Sequence, residues 1–154
     1  MEFAFLCDQP QFIPTIAKWY FDEWGNEVGM QDVAAMQERI ESMLNKDRIP
    51  LHYIALSQGK PVRVIQLKFR EMDIYPEKEN WLGGVYVSYD ARGKGIAGIL
   101  IKEGIRLAKS LGVSQLYLQT EKLDGGLYLD LGWKPIEQVN YKGRDVVVMG
   151  REIS

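Results

Sequence analysis

Apolar and polar positions along the chain recur with two periods, and the switches between them lay out the elements. Residues 2–7 carry a short apolar run, Phe3-Ala4-Phe5-Leu6 before Cys7, which reads as a strand ended by Asp8-Gln9-Pro10. Ile13, Ile16, Ala17, Tyr20 and Trp24 then recur at helical spacing up to Gly25. Val33, Met36, Ile40, Met43 and Leu44 repeat that pattern on a second helix, with Asp32 near its cap. Residues 51–56 and 62–70 read as a hairpin around Gln58-Gly59-Lys60-Pro61. In its second arm Ile65, Leu67 and Phe69 alternate with Gln66, Lys68 and Arg70, which predicts one dry face and one wet face.

Residues 71–80 are polar, contain Pro76 and are expected to form a surface loop before a strand over 81–87. The clearest helix follows at 92–111, where Ile96, Leu100, Leu107 and Leu111 keep one stripe and Gly112 sits at the left-handed stop. A strand at 114–120 completes a crossover unit whose two strands should run parallel, with a ligand site at their carboxyl ends. A short helix over 126–131 ends at Gly132, and 133–140 with 145–153 reads as a last hairpin around Lys142-Gly143-Arg144. With no repeat or linker, this order predicts one mixed α/β (α+β) domain over residues 1–154.

Composition narrows the chemistry. Nineteen Lys and Arg against 21 Asp and Glu give a formal charge of −2, which offers no general attraction for nucleic acid or an anionic membrane. A single cysteine, Cys7, and a single histidine, His52, exclude a disulfide framework and the usual zinc sets, so no metal is expected; they also leave a histidine triad to His52 alone. His52 lies in the alternating run Leu51-His52-Tyr53-Ile54-Ala55-Leu56 and is read as a partly exposed strand residue rather than a catalytic one. Cys7 is read as a small buried apolar residue. Glu2 stands where a secretion signal needs positive charge, and no apolar run reaches membrane-spanning length, so a soluble cytoplasmic protein is expected.

The strongest chemical signal is Arg92-Gly93-Lys94-Gly95-Ile96-Ala97, a glycine-rich turn with two cations opening the long helix. Glycines let a phosphate approach the backbone, and a helix N-terminus offers unpaired N–H groups and the positive end of its dipole. The bland alternative is a tight turn with close helix packing. Two nucleotide motifs fail: no Lys-Ser or Lys-Thr follows the glycines, and Gly98 falls at the wrong place for the three-glycine dinucleotide pattern.

These residues resemble the acetyl-CoA motif of the GNAT superfamily of N-acetyltransferases: Arg or Gln, two residues, Gly, one residue, then Gly or Ala. Val85-Tyr86-Val87 stands where the family has its hydrophobic strand, and Leu127-Tyr128-Leu129-Asp130-Leu131-Gly132-Trp133 resembles its later Leu-Tyr motif. The resemblance implies a mostly antiparallel sheet of six to seven strands with a central parallel pair and about four helices. It implies acetyl-CoA as co-substrate, with the main chain of Val85, Tyr86 and Val87 along the pantetheine arm and the amides of Arg92, Gly93, Lys94, Gly95, Ile96 and Ala97 on the pyrophosphate. It makes Tyr128 the general acid and a small-molecule or peptide amine the acceptor.

An amine of lysine type has a pKa of about 10.4, so only about one molecule in a thousand is neutral at pH 7, and a base or desolvating pocket must supply the lone pair. The departing thiol, at about 8.5, needs less help. Trp81 falls near the place of the strand glutamate that some members use as base; Glu79 and Glu121 are the remaining candidates, each equally readable as a surface carboxylate, and a water relay is a third route. Glu121-Lys122-Leu123-Asp124 also fills the region where many members carry a cofactor-binding Asn. Trp19, Tyr20, Phe21 and Trp24, with Asp22, Glu23 and Glu27, suit a cationic amine on the acceptor side, or else a packed helix with a wet face. Two other readings stay open: a non-catalytic acyl-CoA sensor of the same fold, and an unrelated phosphate-binding domain. A monomer or a homodimer is compatible with the sequence.

Overall fold

The computed structural model describes residues 2–92 and 96–153, and for Ile96 the backbone alone. The strands are β1 (Glu2–Phe5), β2 (Leu51–Ser57), β3 (Lys60–Phe69), β4 (Asn80–Val87), β5 (Gln115–Thr120), β6 (Lys134–Tyr141) and β7 (Arg144–Glu152). They form a seven-stranded sheet in the order β1-β2-β3-β4-β5-β7-β6. Every neighbouring pair is antiparallel except β4 with β5. The helices α1 (Ile13–Trp24), α2 (Val33–Glu41), α3 (Ile96–Ser110) and α4 (Gly126–Asp130) flank it. The crossover from β4 through α3 to β5 is the predicted parallel unit.

Local chemistry sets the element ends. Pro14 sits in the first turn of α1, where its missing N–H costs nothing. The Asp32 carboxylate caps α2 by accepting from the Ala35 N–H at 2.8 Å. That helix stops at Glu41, so Met43 and Leu44 fall beyond the expected stripe. Gly112 ends α3 with φ +83°, and the Val113 N–H closes the last turn onto the Ala108 carbonyl at 3.1 Å. Lys142 and Gly143, both at positive φ, make the tight hairpin turn between β6 and β7.

Helices cover both faces of the sheet. On one, Leu100, Ile101, Leu107 and Ala108 of α3 pack with Ile65, Leu67, Leu82, Leu116 and Leu118. A Cβ on Gly104 would come within 2.8 Å of Ile65 Cδ1, so glycine is what lets α3 lie this close. On the other, Ile16, Ala17 and Tyr20 of α1 and Met36 and Ile40 of α2 pack on Ile54 and Val64.

This second layer corrects three expectations. The face of β3 expected to be wet is covered in part, with Gln66 buried and Lys68 half-buried beneath a cavity and Arg70 still exposed, while Phe69 at the strand end is exposed. His52 is 1% exposed rather than partly open, with Nδ1 3.4 Å from the Met43 carbonyl. The segment over 71–79 is no simple surface loop, because Met72 is wholly buried against Trp81, Val146 and Val148. Cys7 departs in the other direction. It is only half-buried, in a short 3-10 turn (Leu6–Asp8), and burial followed by the neighbouring Asp8 carboxylate raises its thiol pKa.

Candidate active site

Halfway along, the central strand loses one neighbour. Among the described residues β4 and β5 meet in one registered pair, Trp81 with Tyr117, and from Leu82 onward β4 has registered partners on its β3 side alone. Residues Gly83, Gly84, Val85, Tyr86 and Val87 are accordingly half-buried, where the middle strand of a covered sheet would be closed off. The β3 register shifts between Val64 and Gln66, leaving Gly84 and Val85 opposite Ile65 as a bulge. Gly84 holds φ +56°, and a Cβ there would meet Gln66 Nε2 at 2.5 Å and the Tyr20 hydroxyl oxygen at 2.9 Å. No other residue type fits that backbone without a shift.

A cavity of about 700 Å³ opens beside this bulge on the α1/α2 face, lined by Tyr20, Trp24, Leu82, Gly83 and Gly84 among others. At its floor stands Glu71. The segment after β3 turns back so that a Cβ on Gly83 would lie 2.8 Å from Glu71 Oε1. Lys68 Nζ is 2.9 Å from that oxygen, and Gln119 Nε2 donates to Oε2 at 3.2 Å. The Glu71 side chain is 13% exposed and held from two sides, but a carboxylate has lone pairs left for a third donor.

Tyr128 of α4 is half-buried on the α3-side core and edge-on to Trp133, at 6.3 Å between ring centroids. Burial, and then the Glu71 charge, raise the pKa of its hydroxyl.

The sequence-predicted residues are placed as follows. Val85 packs against the α3-side core, and Tyr86 stacks on Trp19 with centroids 5.1 Å apart. The Val87 carbonyl accepts from Arg92 Nε at 3.0 Å, and the Arg92 guanidinium lies 5.3 Å above the Tyr86 ring. Ile96 and Ala97 open α3, while Gly93, Lys94 and Gly95 lie outside the described residues. Trp24 and Glu121 line the cavity, Glu121 at 2.9 Å from Arg144.

Two placements are corrections. Trp81 is wholly buried with its indole N–H on the Lys78 carbonyl at 2.7 Å, so its ring has no surface to offer an acceptor. Glu79 pairs with Arg70 at 3.2 Å on the surface and does not line the cavity. Tyr20 proves to be core and cavity wall at once, whereas Asp22 is engaged by Lys18 on the exposed side of α1. Glu71 is the residue the sequence reading missed; its signal was the glycine pair 83–84 inside a central strand, which marks a close approach by something else.

A half-open strand with free backbone groups can take an extended, amide-bearing chain as an added strand. Such a chain would be of the pantetheine kind that the sequence resemblance implies.

Comparison with known proteins agrees with this geometry. Residues 13–132 match the acetyltransferase (GNAT) family. Among solved structures, aminoglycoside 6'-acetyltransferase type Ii is 21% identical with a TM-score of 0.77, covering 100% of this chain and 98% of that one. An aminoglycoside 6'-N-acetyltransferase complexed with coenzyme A is 19% identical, with a TM-score of 0.77 and the same coverage. The aminoglycoside 6'-N-acetyltransferase from Enterococcus faecium is 18% identical, with a TM-score of 0.73 over 100% and 98% of the two chains. A search of curated proteins returns no match. The chain belongs to the acetyltransferase (GNAT) family.

Proposed function

We propose that the protein transfers an acetyl group directly onto a primary amine bound in the cavity beside Gly83, with donor and acceptor held together in a ternary complex. The observation that carries this reading is the half-open strand β4 beside the cavity, where the 13%-exposed Glu71 carboxylate stands against Gly83. Acetyl-CoA supplies the acetyl group as a thioester already activated for attack.

The chain's own residues divide the remaining work. Main-chain groups of Val85, Tyr86 and Val87 align the donor arm, and the segment from Arg92 to Ala97 receives its pyrophosphate. Glu71 binds the acceptor's ammonium group and takes its proton, leaving the nitrogen lone pair free to form the amide bond. Lys68 and Gln119 fix the carboxylate's orientation, as catalytic groups require. Strand N–H groups near Val87 stabilise charge on the acetyl oxygen. Tyr128 gives its hydroxyl proton to the departing sulfur and is restored by the second proton that the nitrogen loses as the amide forms, relayed through solvent. Trp24 and Glu121 contribute to the acceptor wall, which Trp81 and Glu79 do not reach.

The test is a thermal-shift series with acyl-CoAs followed by thiol release over a broad amine panel. Stabilisation by acetyl-CoA with acceptor-dependent thiol release is expected. Stabilisation with no turnover on any amine would replace this reading with a non-catalytic acyl-CoA sensor. Stabilisation by other phosphates and none by coenzyme A would overturn both.

A further inference from the structure

The charges lining the cavity say what kind of amine it takes. Its wall carries four cations, Arg39, Lys68, Lys142 and Arg144, against three carboxylates, Glu27, Glu71 and Glu121. Each carboxylate is already engaged. Arg144 bridges Glu27 at 2.7 Å and Glu121 at 2.9 Å, tying the turn after β6 to the segments after α1 and β5 across the mouth. Lys68 takes Glu71 at 2.9 Å. Arg39 of α2 and Lys142 of the β6–β7 turn have no carboxylate within 4.0 Å among the described residues.

A polycation entering this cavity would meet surplus positive charge and no unpaired carboxylate, and like charges brought together in a partly desolvated site disfavour binding. An anionic group would instead find a guanidinium and an ammonium waiting at the rim. Guanidinium is suited to both carboxylate and phosphate through paired N–H donors. Only the amine end needs to reach Glu71, where the ammonium would join Lys68 and Gln119 around one carboxylate.

We propose that the acceptor is a primary amine bearing an anionic group, of amino-acid or aminoalkyl-phosphate type, with its amine at Glu71 and its anion held by Arg39 and Lys142. This inference rests on the acetyl-transfer reading and reverses the cationic preference that the helix residues suggest in the sequence.

The experiment measures thiol release with acceptors matched in size: amino acids against their methyl esters and amides, phosphoethanolamine against ethanolamine, and an aminoglycoside as the polycation. Carboxylate and phosphate arms distinguish which anion is preferred. The anionic member of a pair is expected to have kcat/KM higher by about 10-fold or more. R39Q and K142Q should each raise KM for anionic acceptors, R39Q by about 10-fold and well beyond any change for the uncharged partners, with KM for acetyl-CoA unchanged. Calorimetric titration of the best anionic amine into the coenzyme A-saturated protein should show the same loss in R39Q. Turnover favouring uncharged or polycationic amines, or an R39Q enzyme with unchanged discrimination, overturns the inference and leaves acetyl transfer standing. Absence of thiol release with every amine removes both.

Discussion

The Tyr20 hydroxyl donates to the Gly84 carbonyl oxygen at 2.7 Å, joining α1 to the bulge of β4 across 64 positions of sequence. Tyr20 is 2% exposed, so its donor is withdrawn from bulk solvent, while the half-buried Gly84 end of the bond borders the cavity. It satisfies a carbonyl that the bulge removes from the sheet ladder, and it fixes the backbone on which the gap depends. Tyr20→Phe keeps the ring and deletes the donor, leaving that carbonyl unpaired at a cost of about 1–3 kcal/mol. For a chain of this size each kcal/mol lowers Tm by roughly 2–4 °C. Calorimetry should show that loss together with weaker acetyl-CoA stabilisation; an unchanged Tm would show that the bond contributes nothing net.

Glu71 is expected to dominate the acceptor half of the reaction. Glu71→Gln preserves shape and the contact with Gln119 but removes the proton acceptor, so kcat/KM for the amine should fall by about 10²–10⁴-fold. Affinity for coenzyme A should stay within about twofold, because the carboxylate faces the cavity rather than the arm of the donor. Steady-state kinetics paired with calorimetry separates these effects. Equal losses in both would mean that Glu71 maintains the fold of β4 instead of handling a proton.

Tyr128→Phe should lower kcat far less, about 10-fold, since a thiol of pKa about 8.5 departs with little assistance. The pKa of the hydroxyl is raised, first by burial and then by Glu71. The sign follows directly: the protonated form that serves as acid persists to higher pH than an ordinary tyrosine's. The kcat profile of the native protein should therefore show no alkaline fall from this group below pH of about 10. A fall near neutrality that disappears in Tyr128→Phe would contradict the assignment.

Elements whose cause is local were legible in the sequence. The Asp32 cap, the Gly112 stop, the Lys142-Gly143 turn and the β4-α3-β5 crossover each follow from a few neighbouring residues. Burial of polar residues was not, because it depends on what covers a strand from far away. Gln66 and Lys68 alternate with apolar neighbours as residues facing water would, and only in space does their face prove to line the cavity beside α1 and α2. Glu71 was hidden for the same reason: it follows a strand in a polar stretch, and its partner Gln119 lies 48 positions away. Glu27 and Glu121 look free along the chain, while Arg144 pairs with both in space.

His52 supplies a test of the covered face that does not depend on catalysis. Burial, opposed only in part by the Met43 carbonyl, lowers its pKa from the ordinary 6.5 to about 4. Between those values the unfolded chain binds a proton that the folded chain refuses, so stability falls as pH drops from about 6.5 towards 4 and the contribution is fully present above that range. For one such group the loss between pH 7 and pH 5 is about 2 kcal/mol. His52→Gln keeps a donor in place but cannot titrate, so its stability should change by about 2 kcal/mol less than the native protein's over the same interval. Denaturant melts at the two pH values measure both differences. Parallel acid losses in the two proteins would mean that His52 is already protonated in the folded state, and that the α1/α2 layer is more open to water than its packing shows.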